Sequence, residues 1–266
     1  MADVDDLLSL ATTTAHDAGR LLLDGQRRAR TTIETKTTAT DMVTEMDRAA
    51  EASILSALTS ARPDDGFLGE EGTDRPGTTG LRWVVDPLDG TTNYLYGFPA
   101  WSVSIAVEDG AGALVGVVHD PVRHETFTAV RGAGSWCDGL RLTAGQPASL
   151  AACLVGTGFA YQADRRAWQA AALAHVLPRV RDVRRAGSAA LDLCWVGAGR
   201  LDAYYERGIQ PWDSAAGLLV ATEAGAVSAP LPAATLPEGL AVAASTVATD
   251  FFALIAKAET EADAAR

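Results

Sequence analysis

The sequence predicts an α+β front half, residues 1–150, followed by an α/β rear half, residues 151–266, the two forming one compact unit. Between residues 103 and 142, short apolar runs are separated by turn residues, which is typical of an antiparallel sheet. From residue 153, strand-like runs alternate with helical patterns, which indicates βαβ units. The 266 residues are enough to bury a core without disulfides.

In the front half, apolar residues at helical intervals predict a helix over 4–28 and a second that starts near Thr44 and ends before Pro63. Residues 60–80 are rich in Pro, Gly, Asp and Thr, so they are predicted to form a loop. The strands predicted after the loop lie at 103–107, 114–119, 126–130 and in a glycine-punctuated stretch that ends at 142.

In the rear half, the predicted strands lie at 153–156, 182–185, 201–205 and 240–244. The predicted helices lie at 165–177, 188–196, 212–224 and 248–262. Residues 229–238 are rich in Ala, Pro and Leu and are predicted to form a surface connection.

Charge and cysteine content argue against several classes of protein. The net charge of −12 disfavours nonspecific binding to nucleic acid. No apolar run approaches the roughly 18 residues of a membrane span, and the acidic N-terminus lacks the features of a secretory signal. The scattered Cys137, Cys153 and Cys194 predict buried thiols in a reducing, cytoplasmic compartment. We therefore expect neither a nucleic-acid nor a membrane partner.

The segment 83–93, WVVDPLDGTTN, carries the strongest chemical signal. Its apolar start predicts a strand covered on both faces, and a buried carboxylate that leaves such a strand must be paired or bind a metal. Asp86 and Asp89 follow, three residues apart. Gly90 and Thr91 then open a predicted helical turn, whose N–H groups favour an anion. A cation site beside an anion site suits a metal-assisted phosphate enzyme.

The spacing within this segment distinguishes it from other motifs. An EF-hand loop needs ligands at positions 1, 3 and 5 and a glycine at 6, whereas the acids here fall at 1 and 4 and the glycine at 5. A P-loop is not supported, because no GxxxxGK[ST] run exists. The haloacid-dehalogenase pattern, DxDGT, has one residue between its aspartates instead of two and is kept as a weaker alternative.

Two further acidic segments are candidates for the same site. Glu70 and Glu71 follow an apolar pair and a glycine, which suggests that the loop returns inward. Asp213 stands in the first turn of a predicted helix that begins with proline. A bulky Trp212 and a run of small residues indicate a tightly packed helix that presents Asp213 inward.

Together, these segments resemble the inositol monophosphatase family, in its bacterial branch. The resemblance covers residues from about 5 to 260 and implies a layered αβαβα sandwich with a mixed rear sheet. The motifs that carry it are Lys36 with DMVTEMD at 41–47, GEE at 69–71, DPLDGTTN at 86–93, GSAA at 187–190, DAYYE at 202–206 and WDSAAG at 212–217.

The resemblance implies two or three Mg²⁺ ions, with Asp86 bridging two of them. The first ion also takes Glu70 and the backbone carbonyl of Leu88, and the second takes Asp89 and Asp213. A weaker third ion uses Glu70 and water. Carboxylate and carbonyl oxygens are suitable ligands for such a hard cation.

The resemblance also implies the catalytic roles. Glu70 and Thr91 orient a metal-activated water, and Asp47 holds Thr91. The N–H groups of Gly90 and Thr91 bind the phosphate. Hydrolysis proceeds by in-line attack of the water, without a covalent phosphoenzyme.

The implied substrate is inositol monophosphate, whose hydroxyls contact Asp89, Glu206, Asp213 and the backbone of Ala189. Thr92 stands where relatives that act on phosphoadenosine phosphate or histidinol phosphate often carry Lys or Arg, and this favours the inositol class. Those phosphatases, and one acting on fructose 1,6-bisphosphate, remain alternatives.

The resemblance further implies a lithium-sensitive homodimer. Some bacterial relatives bind transcription machinery apart from phosphatase activity. A non-catalytic partner-binding protein is therefore the second hypothesis.

Overall fold

The structure, a computed structural model, describes residues 3–26, 33–35, 42–231 and 237–264, without the side chains of 33–35 and 42–44. Lys36 and Asp41, which carry part of the family resemblance, lie outside the described residues. The helices of the described part are α1 (Val4–Gly25), α2 (Glu45–Ala61), α3 (Thr91–Tyr96), α4 (Ala163–Val176), α5 (Ala189–Gly197), α6 (Pro211–Glu223) and α7 (Ala248–Ala264).

The strands of the front half form a two-stranded and an eight-stranded sheet. They are β1 (Ile33–Thr35), β2 (Met42–Thr44), β3 (Gly66–Gly69), β4 (Asp74–Arg75), β5 (Arg82–Asp89), β6 (Ser102–Asp109), β7 (Gly112–Asp120), β8 (Glu125–Val130), β9 (Gly134–Cys137) and β10 (Leu140–Arg141). The large sheet has the order β10-β9-β8-β7-β6-β5-β3-β4. Its pairs are antiparallel, as predicted, apart from β3 and β5, which are parallel. The predicted loop at 60–80 therefore contains two short strands.

The rear sheet is mixed, as predicted. Its strands are β11 (Leu154–Thr157), β12 (Asp182–Arg184), β13 (Ala203–Arg207), β14 (Ala226–Leu231) and β15 (Gly239–Ala244). They lie in the order β12-β11-β13-β15-β14, with β11 parallel to both of its neighbours. The start of the predicted connection at 229–238 is instead the end of β14, which pairs antiparallel with β15.

Four apolar interfaces hold five layers together. Helices α1 and α2 pack on one face of the front sheet, and α5 and α6 pack on its other face. The same two helices also cover one face of the rear sheet, while α4 and α7 cover the other. This arrangement is the predicted αβαβα sandwich. The division of the chain near residue 150 stays a prediction.

The outer helices α1, α2, α4 and α7 each bury one face, whereas α5, which lies between the two sheets, is buried on several faces. Across the residues that the structure describes, none is long and apolar enough to cross a membrane.

Candidate active site

Asp86 and Asp89 lie at the end of β5, in the interior of the front sheet. Asp86 pairs with Ser104 of β6 and Asp89 with Ser102, so β5 advances three residues where β6 advances two. The extra residue makes a β-bulge, and Pro87, which has no N–H for the ladder, lies within it. In a regular strand, side chains three residues apart point to opposite faces. The bulge lets both aspartates line one cleft.

Glu70 reaches the same edge of the sheet because β3 runs parallel to β5. Gly69 pairs with Val85, and the N–H of Glu70 donates to the Val85 carbonyl at 3.2 Å. Parallel strands end at the same edge of a sheet, where open α/β sheets bind ligands. Glu70 and Asp86 directly follow the paired residues Gly69 and Val85, and both line the cleft.

Glu51 of α2 fixes the turn that follows β3. Its carboxylate accepts hydrogen bonds from the N–H of Glu71 at 2.8 Å and from the hydroxyl of Thr73 at 2.6 Å. A Cβ on Gly69 would lie 2.4 Å from this carboxylate, so a glycine is needed there. The segment that carries Glu70 is thus held from both sides, by β5 and by α2.

Gly90 turns the chain from β5 into α3. Its φ of 96° lies in the left-handed region, which glycine adopts without strain, and a Cβ would lie 3.0 Å from the Ala100 carbonyl. Thr91 begins α3, and its hydroxyl lies 3.2 Å from Asp47 Oδ2 and 3.1 Å from the Leu88 carbonyl. The predicted contact between Asp47 and Thr91 is present, while its catalytic role stays a prediction.

Asp213 comes from the first turn of α6, which packs on the front sheet. The N–H of Gln210 donates to Asp213 Oδ2 at 2.8 Å and caps the helix. The hydroxyl of Ser104 on β6 donates to the Trp212 carbonyl at 3.2 Å. These bonds hold the start of α6 against the strand next to β5, and Asp213 lines the cleft.

The rear sheet contributes Glu206 near the end of β13. The hydroxyl of Tyr204 donates to the Glu206 carboxylate. A Cβ on Gly158 would overlap that carboxylate, so the glycine after β11 makes room for it. Glu206 is therefore held in one position at the wall of the cleft.

The acidic residues raise one another's pKa values. Burial raises the pKa of Asp86 well above its ordinary value, and the charges of Glu70, Asp89 and Asp213 raise it further. Burial raises the pKa of Asp89 to about 6, although the hydrogen bonds that it accepts act in the opposite direction. Burial and then the charge of Asp89 raise the pKa of Asp213. A cation among these carboxylates would remove this repulsion.

The donor set fits a hard cation. It consists of carboxylate oxygens and the Leu88 carbonyl, which are the ligand types that Mg²⁺ and Ca²⁺ take in proteins. Carboxylate oxygens of Asp47, Glu70 and Glu71 also lie within 4.8 Å of one another. The predicted assignment of individual ligands to individual ions stays a prediction.

One cleft of about 360 Å³ brings together the predicted site residues, with Asp47 joined to it through Thr91. The predicted residues that line it are Glu70, Asp86, Leu88, Asp89, Gly90, Thr91, Thr92, Ala189, Glu206 and Asp213.

Among the other residues that line the cleft are Arg165, Arg185 and Asp192, which no pattern in the sequence indicated. The two arginines are exposed and belong to no motif. Burial raises the pKa of Glu206, as it does that of Asp89, and the charge of Arg185 acts in the opposite direction on both. Asp192 stands in an apolar helix, where the pattern indicates core.

Comparison with known proteins agrees with this architecture. The inositol monophosphatase family model matches residues 3–261. The chain is 46% identical over 205 residues to inositol-1-monophosphatase SuhB of Mycobacterium tuberculosis, covering 73% of this chain and 70% of that protein. It is 40% identical over 224 residues to Nus factor SuhB of Pasteurella multocida, covering 84% of each. The crystal structure of the extragenic suppressor protein SuhB from Bartonella henselae superposes with a TM-score of 0.87 at 32% identity, covering 94% of this chain and 98% of that one.

The layered fold and the acidic cleft are those of a class of metal-dependent phosphatases. Within that class, the chain belongs to the inositol monophosphatase family.

Proposed function

We propose that the protein is a Mg²⁺-dependent phosphomonoesterase that hydrolyses inositol monophosphate to inositol and phosphate. The observation that carries the proposal is the convergence of Glu70, Asp86, Asp89 and Asp213 on one cleft, beside the first turn of α3. These residues come from three separate segments of the chain, and a bound cation would offset the repulsion among their charges.

Two or three Mg²⁺ ions would be held by Glu70, Asp86, the Leu88 carbonyl, Asp89 and Asp213. When bound, the ions supply positive charge for the phosphate oxygens and a lowered pKa for the attacking water. The all-oxygen donor set supports this choice of metal.

The protein's own groups position the reactants. Glu70 and the Thr91 hydroxyl orient the attacking water. Asp47, within hydrogen-bond distance of that hydroxyl, holds it in place. The N–H groups of Gly90 and Thr91 bind the phosphate as the chain turns into α3.

The alcohol part of the substrate lies toward the rear sheet. Its hydroxyls bond to Asp89, Glu206, Asp213 and the backbone of Ala189. Thr92 lines the cleft without adding a charge for a second phosphate, which favours inositol monophosphate. We also propose that the enzyme is a lithium-sensitive, cytoplasmic homodimer.

A substrate panel tests the proposal. Phosphate release is measured with inositol, fructose, adenosine and histidinol phosphates while Mg²⁺ is titrated. We expect the highest kcat/KM for inositol 1-phosphate, no turnover in EDTA, and inhibition by lithium. A higher kcat/KM for fructose 1,6-bisphosphate, histidinol phosphate or phosphoadenosine phosphate would instead support a phosphatase that acts on that substrate.

A non-catalytic role is the second candidate, because some relatives of high coverage are named Nus factor SuhB. The acidic net charge of −12 would suit a basic partner. A stoichiometric complex with a protein partner, together with no turnover on the whole panel, would favour this role over the enzyme.

A further inference from the structure

Asp192 is a buried carboxyl on the wall of the cleft. It belongs to α5, is only 2% exposed, and still lines the cleft. Buried polar atoms in folded proteins almost always have a hydrogen-bond partner. Within the described part of the chain, Asp192 Oδ1 has none. The fold therefore leaves a carboxyl oxygen at the cleft without a partner among the described residues.

The neighbours of Asp192 place it among the groups proposed to bind hydroxyls. A Cβ on Gly156 of β11 would lie 3.5 Å from the Asp192 carboxyl carbon, so the carboxyl group packs next to β11. Burial raises the pKa of Asp192 well above its ordinary value, the charges of Glu206 and Asp89 raise it further, and the charge of Arg185 acts in the opposite direction. Asp192 lines the same cleft as Glu206 of β13 and Asp89 of β5.

Glu206 differs from Asp192 in being partnered within the protein. The Tyr204 hydroxyl donates to it, which fixes the direction of its carboxylate. A rigid carboxylate beside a carboxyl oxygen that lacks a partner offers two acceptors for two O–H donors of one molecule. Neighbouring hydroxyls on a polyol present donors in this way.

We propose that Asp192 binds a hydroxyl of the substrate and, with Glu206, forms a subsite for two neighbouring hydroxyls of a polyol phosphate. This inference rests on the proposed function and extends it to a residue that sets specificity. A site that hydrogen-bonds a substrate hydroxyl rejects a substrate without it, because its buried polar groups are left unpaired. Asp192 therefore favours polyol esters over phosphate esters with no hydroxyl groups.

The test compares two substrates across three proteins. The kcat and KM of the wild type, Asp192→Ala and Asp192→Asn are measured with inositol 1-phosphate and with p-nitrophenyl phosphate, whose alcohol part carries no further hydroxyl. We expect Asp192→Ala to lower the ratio of the two kcat/KM values about tenfold, mainly through KM for inositol 1-phosphate, on the scale of one lost hydrogen bond. Asp192→Asn, which keeps an acceptor and the volume, recovers most of the ratio.

The matched control is Asp120→Asn. Asp120 is also fully buried, but it bonds to Arg123 and to the N–H of Val122 and does not line the cleft. We expect this variant to leave the substrate ratio as in the wild type. Equal losses on both substrates in Asp192→Ala, or no loss on either, would overturn the subsite.

Failure of the proposed function is a separate outcome. If the wild type cleaves neither ester, the enzyme assignment falls, and calorimetric binding of inositol 1-phosphate then decides the subsite. Binding about tenfold tighter in the wild type than in Asp192→Ala supports it. Equal or absent binding in both proteins overturns it.

Discussion

Asp89 is held from one side by the N-terminal turn of α5. The hydroxyl of Ser188 donates to Asp89 Oδ2 at 2.5 Å, and the N–H of Ala190 donates at 2.8 Å. Both donors lie where the helix dipole favours negative charge. The two bonds fix the orientation of the carboxyl group and partly offset the effect of burial on its pKa, which suits a ligand that must stay in place without its cation.

Replacing Asp89 with asparagine tests whether that carboxylate binds the metal. We expect Asp89→Asn to lower kcat about a hundredfold or more, since loss of groups around a metal costs on the order of 10–100-fold even beyond the direct ligands. The fold is expected to survive, because the amide oxygen still accepts from Ser188. Steady-state kinetics and circular dichroism measure the two effects, with exposed Asp182→Asn as control. Retention of most of kcat would remove Asp89 from the ligand set.

Glu206 is expected to act on binding more than on turnover. The reason is its position on β13, away from the aspartates of β5, with a carboxylate already directed by Tyr204. Glu206→Ala should raise KM for inositol 1-phosphate several-fold while lowering kcat less, the pattern of a lost ground-state contact. Tyr204→Phe should give a smaller effect in the same direction. A fall in kcat with KM unchanged would contradict the binding role.

His119 gives the protein a pH-dependent stability outside the cleft. Burial, and then the nearby His16, lower the pKa of His119 to about 4 from an ordinary value of 6.5. Its ring also packs against α1, where a Cβ on Gly19 would lie 2.7 Å from it. Between pH 6.5 and 4 the unfolded chain binds the proton more readily, so acid costs stability and raising the pH restores it.

The variant His119→Asn should therefore show a shallower loss of stability on acidification. The measurement is the midpoint of urea unfolding at pH 7 and pH 5, compared as a difference between variant and wild type. This comparison cancels the titration of the carboxylates in the cleft, which both proteins share. An equal shift in both proteins would show that His119 does not contribute.

At the scale of elements, the sequence predicted β5 and α3 but not what brings Glu70 to them. Trp83 to Val85 is an uninterrupted apolar run, and Gly90 is a strong signal for the turn that follows. β3 is four residues long and lies in a segment rich in Gly, Asp and Thr. Its parallel pairing with β5 is a contact between separate segments, which local composition cannot reveal.

On helix α5, Asp192 could not be recognised from the sequence for a different reason. It is buried on several faces because it lies between the two sheets, so its sequence reads as core throughout. Asp192 is recognisable only when the cleft is seen to open at that point. Residues within recognisable motifs were predictable, including Asp86 and Asp89 on the covered strand β5, whereas Asp192 belongs to no recognised motif.

The contact between α2 and the β3 turn gives a prediction at this scale. Glu51→Ala removes both hydrogen bonds that hold Glu71 and Thr73 and should free the segment that carries Glu70. We expect affinity for Mg²⁺ to fall about tenfold, as for other groups that orient metal ligands. Titration of activity with Mg²⁺ measures it, with Glu51→Gln retaining part of the affinity. Exposed Ser56→Ala on the same helix is the control, and equal Mg²⁺ affinity in all four proteins would contradict the role.

At the scale of the whole molecule, the site depends on both sheets. The front sheet supplies Glu70, Asp86 and Asp89, while α6, packed between the sheets, supplies Asp213. Folding therefore gathers like charges from distant segments into a buried cluster. Repulsion among these charges lowers the free energy of unfolding, and a ligand that binds only the folded state raises it again.

Mg²⁺ should accordingly stabilise the entire protein. A ligand that binds only the folded state adds about 2.7 kcal/mol at a hundredfold excess over its Kd, which for a chain of this size raises Tm by roughly 5–10 °C.

Asp213→Asn removes one of the mutually repelling carboxylates while its amide oxygen still caps α6. The variant without metal should melt no lower than the wild type without metal, yet its Tm should rise much less when Mg²⁺ is added. Tm is measured for both proteins in EDTA and in excess Mg²⁺. An equal rise in Tm in both proteins would show that Asp213 is no ligand. The same carboxylate both repels its neighbours and binds the metal. Its removal should therefore reduce the repulsion in the metal-free protein and the stabilisation by Mg²⁺ together.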